Sequence, residues 1–143
     1  MSNPVRVGHK QTLMGRLQHG QDLLEALTHL CYEEGITLGR VTAIGAVQKA
    51  GVAFYDQKER EYRRIEFDRP MELLSLTGNI SMKDGKPFIH AHITLGDPCG
   101  SVHGGHLDTG TVVYACEYEI HAYSGPELDR EYDEATALAL WNL

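Results

Sequence analysis

The chain has 143 residues, 42 % hydrophobic and 23 % charged, with 15 glycines. That is enough for one domain with its own core. Twenty acids against 13 bases leave a net charge of −7, which excludes nucleic-acid binding driven by overall charge, because such a surface repels phosphates. No stretch approaches the ~18 apolar residues of a membrane span and no basic, apolar leader opens the chain; with three well-separated cysteines, Cys31, Cys99 and Cys116, the expected location is the reducing cytoplasm.

In chain order, residues 1–4 read as a frayed end. Val5–Leu17 alternates weakly and predicts a strand, broken near Gly15. His19-Gly20-Gln21-Asp22 is a turn, with Asp22 as helix cap and Glu25 three residues on. Leu23, Leu24, Leu27, Leu30 and Cys31 recur at helical spacing, and Gly35 stops the element, so a helix is predicted over about 22–34. Strands follow over Arg40–Val47 and Gly51–Tyr55, separated by a break at Gln48–Lys49. Asp56–Arg60 is a charged turn and Tyr62–Phe67 a further strand. Glu72–Met82 and Pro87–Leu95 form a hairpin around Lys83-Asp84-Gly85-Lys86, whose Asp-Gly pair is a tight-turn signal. Ser101–His106 is short, and Thr111–Tyr123 is read as the longest strand. The acidic tail from Gly125 ends Leu138-Ala139-Leu140-Trp141 and is either a helix or a short edge strand; residues 142–143 read as frayed. No linker or repeat divides the chain, so residues 1–143 make a single domain. Its connections are too short for parallel crossovers, which gives an α+β fold with one main helix near the N-terminus and a mainly antiparallel sheet.

Alternation assigns the strand faces. Leu74, Leu76, Ile80 and Met82 share one face, with Ser75, Thr77 and Asn79 opposite. Ile89, Ala91, Ile93 and Leu95 are opposed by His90, His92 and Thr94. Val112, Tyr114, Cys116, Tyr118 and Ile120 are opposed by Ala115, Glu117, Glu119 and His121. One sheet face is therefore core, and the other collects Asn, Thr, His and Glu.

His90-Ala91-His92 sets two imidazoles on that polar face, about 6.5–7 Å apart at the backbone, a spacing that lets both reach one ion. The segment His103-Gly104-Gly105-His106 offers a third ligand, His106 before His103. Three histidines leave one coordination position open, as suits zinc, although copper, nickel and iron accept the same donors. Glu117, His103, Asn79 and Thr77 are candidates for a further ligand or for orienting the histidines. Glu117 is also the candidate general base if a metal-bound water reacts. Against this stands the plain reading that a two-residue HxH, in a chain with eight histidines, faces water on a polar sheet face. Cys99 reads as an inert loop thiol, with no base at defined spacing. For DNA the only basic cluster is Arg60, Arg63 and Arg64 with Lys58, diluted by Glu59, Glu61 and Glu66.

The run Pro87-Phe88-Ile89-His90-Ala91-His92-Ile93-Thr94-Leu95-Gly96-Asp97, followed by Gly104-Gly105-His106-Leu107, Thr111-Val112 and Glu117, resembles the PPC (plants and prokaryotes conserved) domain. So do Gly20-Gln21-Asp22-Leu23, Ile44-Gly45-Ala46, Leu76-Thr77-Gly78-Asn79-Ile80 and the closing Tyr132-Asp133-Glu134-Ala135-Thr136, so that the resemblance spans about residues 5–141. It implies a stand-alone prokaryotic member, related to the domain that follows AT-hooks in plant nuclear proteins. It also implies an antiparallel α+β homotrimer with a metal site matching His90, His92 and His106. Prokaryotic relatives often carry a DNA-binding or regulatory label. This chain has no Arg-Gly-Arg-Pro hook and no basic tail, and three copies would carry −21. The expected function is a histidine metal site, zinc first, in a homotrimer with that family label. The alternatives are a zinc-dependent small-molecule-binding protein or hydrolase, and a metal-free trimerisation module. Expected partners are further copies of the chain, with a small molecule or anion at the metal; DNA enters only by the label, and no membrane is implied.

Overall fold

Leu23, Leu27 and Cys31 are buried at helical spacing, and the helix they define, α1 (Leu23–Glu33), lies against the core. Its start is capped as the sequence predicts: the Asp22 carboxylate accepts the Glu25 N–H at 3.0 Å and also the Gly110 N–H at 2.6 Å. Gly35 ends it with a φ of +62°. The computed structural model describes residues 3–143; Met1 and Ser2, part of the expected frayed start, lie outside the described residues.

The strands are β1 (Gly8–Leu17), β2 (Gly39–Asp56), β3 (Glu61–Phe67), β4 (Met71–Lys83), β5 (Lys86–Gly96), β6 (Val102–Leu107), β7 (Val112–Ser124), β8 (Arg130–Asp133) and β9 (Leu138–Trp141). The main sheet runs β1-β7-β2-β4-β5-β6, with β3 beside the far half of β2, and every strand pairing in it is antiparallel. The far half of β2 also meets β6, through Val52–Leu107 and Ala53–His106, so β2, β4, β5 and β6 close on one another. Asp84 and Gly85 turn the β4–β5 hairpin with φ of +52° and +73°, the conformation its Asp-Gly pair predicts.

Four expectations change. The break expected near Gly15 is absent: β1 runs through it in register with Tyr118, and its one irregularity lies between His9 and Gln11. The two short strands expected over Arg40–Tyr55 are one strand of 18 residues, longer than β7. Gln48–Lys49 is not a break but lies at a register shift against β7, and a second irregularity opposite β4 falls between Ala43 and Gly45. These bulges bend β2 so that it can change partners without ending. Leu74 is 47 % exposed while Leu73 is buried, because the β4–β5 register shifts between Leu73 and Ser75 and reverses the alternation. In β7 the same effect buries Val113 and exposes Tyr114. The tail is neither helix nor edge strand but a two-stranded sheet of its own, β8–β9, attached to β4 through the Met82 N–H and the Leu128 carbonyl. The apolar face of the main sheet packs with α1 into one core.

Candidate metal centre

His90 and His92 are two residues apart on β5, and His106 on β6 is the direct partner of His92. Directly paired residues share a sheet face, so the three imidazoles converge on the face away from the core. Their ring centroids are 5.2, 5.0 and 5.6 Å apart. One nitrogen from each lies within 4.8 Å of the others. A tetrahedral ion bonded at about 2 Å holds its nitrogens about 3.4 Å apart, a separation that small side-chain rotations reach. The donor set is three imidazoles with no thiolate or carboxylate, which fits zinc and its first-row neighbours.

Two of the three imidazoles are held in the unprotonated form. Burial first, then the neighbouring His106, Arg130 and His92, pushes the His90 imidazole down to about 4. Burial and His92 lower His106 as well. Both rings are then neutral near pH 7 and present a lone pair, the form that ligates. The Tyr62 ring lies against His106 at 4.9 Å between centroids.

Of the other sequence candidates, Asn79 and Thr77 sit beside the site: Asn79 pairs with His90 and Thr77 with His92 across β4–β5. Glu117 does not join them. It pairs with Arg16 and Ile44, with β2 and β4 lying between β7 and β5. His103 does not join them either. It pairs with core residue Leu95 and so lies on the opposite face; its Nε2 meets Asp97 Oδ2 at 3.2 Å and its ring packs on Phe67. His103 and His106 are three positions apart, an odd offset that alternation turns to opposite faces; that signal was legible in the sequence. Cys99 is exposed in a loop and donates its backbone N–H to Asp97.

The basic cluster is already engaged. Arg63 pairs with Asp56, Arg64 binds Glu66 and Asp108, and Arg60 donates to the Glu134 carbonyl. A residue the sequence reasoning missed is Arg130. From β8 its guanidinium donates to Ser81 Oγ, Asn79 Oδ1 and the Ala139 carbonyl at 2.8–3.0 Å, and it stacks over Phe88 and Trp141. A lone arginine in an acidic tail gives no sign that it lies fifty residues back along the chain, beside the histidines.

Comparison with known proteins places these features in a family. The chain is 41 % identical to the metal-containing protein of Archaeoglobus fulgidus, whose crystal structure superposes with a TM-score of 0.94 over 98 % of this chain and 99 % of that one. The plant- and prokaryote-conserved (PPC) protein of Pyrococcus horikoshii is 33 % identical, with a TM-score of 0.90 over 100 % and 97 %. A structure from Ralstonia eutropha JMP134, described as a "putative DNA-binding protein", is 32 % identical, with a TM-score of 0.82 over 91 % and 90 %. Among curated proteins, the bifunctional protein GlmU of Synechococcus sp. (strain JA-2-3B'a(2-13)) is 32 % identical over 136 residues, and the chain spans only 20 % of its length. Residues 6–124 match the Plants and Prokaryotes Conserved (PCC) domain, and the chain belongs to that family.

Proposed function

We propose that the chain is a metal-binding member of this family, in which His90, His92 and His106 hold a zinc ion within a cytoplasmic homotrimer. The observation that carries the reading is the convergence of three imidazole nitrogens, from two paired strands, within 4.8 Å. The relative in Archaeoglobus fulgidus that is described as metal-containing supports it. Bound there, zinc would supply Lewis acidity and an open coordination position. The chain's own residues set the rest: β5 and β6 fix the three rings, and burial keeps His90 and His106 neutral. Glu117 sits on β7 and His90 and His92 on β5, with β2 and β4 between in the sheet order, so within one chain no carboxylate base stands among the ligands and binding is favoured over hydrolysis.

DNA binding carries less weight. The net charge is −7, and the arginines of the basic cluster are paired with acids or a backbone carbonyl.

Elemental analysis of untagged protein, beside a His90→Ala/His92→Ala variant, tests the site, and light scattering on the same samples tests the trimer. Near-stoichiometric zinc in the parent and none in a still-folded variant is the expected result. No metal in either after zinc is supplied would refute the reading and move the weight to a metal-free association module.

A further inference from the structure

The β8–β9 hairpin lies wholly outside residues 6–124, the part that matches the family, yet it builds one wall of a cleft over the histidines. The cleft measures about 350 Å³ and is shared by His90, His106, Arg130 and Lys83, with apolar walls that include Phe88 and Leu138. That is small-molecule size. In a chain with 20 acidic residues, no Asp or Glu lines it.

Its charge is arranged rather than incidental. Arg130 is half-buried, and its three recorded bonds go to a hydroxyl, an amide oxygen and a backbone carbonyl, none of them charged. Among the described residues no carboxylate forms an ion pair with it, and burial lowers its basicity. Even a half-buried cation without a counter-charge carries a desolvation cost. A guanidinium has five donors; three are used, which leaves two N–H donors, one on each terminal nitrogen, to bond an oxyanion. Lys83 stands at the same cleft with its ammonium over the Phe88 ring, 5.3 Å from the centroid.

From this arrangement we propose that the cleft is an anion subsite that takes a small carboxylate with a flat apolar body, its oxyanion on Arg130 and Lys83 and its body against Phe88 and Leu138. The proposal deepens the metal reading, since a bound ion would add positive charge beside the same cleft, but Arg130 and Lys83 act without it.

The test is a titration of ¹⁵N-labelled full chain, zinc-loaded and zinc-free, with benzoate, its neutral analogue benzamide, and inorganic phosphate. Benzoate is expected to shift the amides of residues 88–90 and 137–140, and benzamide not to. Arg130→Gln is expected to weaken benzoate about tenfold, the range of a charge-assisted pair, with Arg130→Lys falling between. Lys83→Gln, half-buried at the end of β4 and outside the β8–β9 hairpin, is expected to weaken it several-fold, and carries the test if Arg130→Gln disturbs the hairpin spectrum. Phosphate binding with the same Arg130 and Lys83 dependence would assign the anion to a phosphate-bearing molecule and uphold the subsite. Benzoate that binds no better than benzamide, or equally to parent and both charge variants, overturns it. Stoichiometric zinc with no anion dependence on Arg130 or Lys83 sinks the subsite and spares the metal site; anion binding in a chain that takes up no zinc does the reverse.

Discussion

Crowding three imidazoles should make the metal-free protein sensitive to mild acid, and the size of the effect follows from the geometry. The rings are 5.0–5.6 Å apart. Two protonated rings at about 5 Å repel by roughly 1 kcal/mol in water and roughly 3 kcal/mol at the effective dielectric of a protein surface. Burial first, then His106, Arg130 and His92, hold the folded value of His90 at about 4, below the ordinary 6.5. Between those values the unfolded chain binds more protons than the folded one. Stability is therefore fully present above about 6.5 and is lost as pH falls toward 4. The full shift would be worth about 3 kcal/mol at 1.36 kcal/mol per unit; His90 is only half-buried, and solvent screening cuts this to about 1.5 kcal/mol. The perturbation is His90→Asn, which keeps a polar side chain opposite Asn79 and removes the titration. Urea denaturation of both proteins, stripped of metal, at about pH 7.5 and about pH 4.5 gives the comparison. Asp56, Asp97 and Asp133 are held below the usual carboxylate range, so they also lose stability in acid, but equally in both proteins. The parent is expected to lose about 1.5 kcal/mol more than His90→Asn. Equal losses, or a larger loss in the variant, would refute the electrostatic account.

Two further outcomes are expected. Zinc at a hundredfold excess over its dissociation constant should stabilise the parent by about 2.7 kcal/mol, a rise in Tm of roughly 5–10 °C by calorimetry, and should leave His90→Ala/His92→Ala unmoved. Gly45→Ala should cost about 3 kcal/mol in urea denaturation, since a Cβ there would lie 2.1 Å from the Ala115 carbonyl oxygen, at a φ of +154° that other residues rarely adopt.

The helix, the Asp-Gly hairpin and the His90–His92 pair were legible because each rests on local chemistry: periodicity, turn conformation and strand alternation. What alternation could not show was where it fails. The bulges at Gly45 and between Leu73 and Ser75 reverse the faces of the residues beyond them, and they arise from strand partners distant in sequence. The same limit hid the continuity of β2, which holds together because it pairs with four different strands. His106 was legible as a ligand only in part: the two glycines before it marked a close backbone approach, and its pairing with His92 settled its face. Arg130 was not legible at all, because what gives it meaning is the docking of the hairpin onto β4.

The closure of β2, β4, β5 and β6 leaves the main sheet two outer edges among the described residues, β1 and β3. An unpaired edge is a template for adding a strand from another molecule. The sequence of β3, Glu61-Tyr62-Arg63-Arg64-Ile65-Glu66-Phe67, is exposed along almost its whole length and carries four charges of both signs. A strand approaching that edge must strip water from an arginine or a glutamate at nearly every step, and it would meet side chains already tied to Asp56 and Asp108. The arginines that first suggest a nucleic-acid patch thus have a plainer consequence: they make the open edge of the sheet a poor template for a further strand.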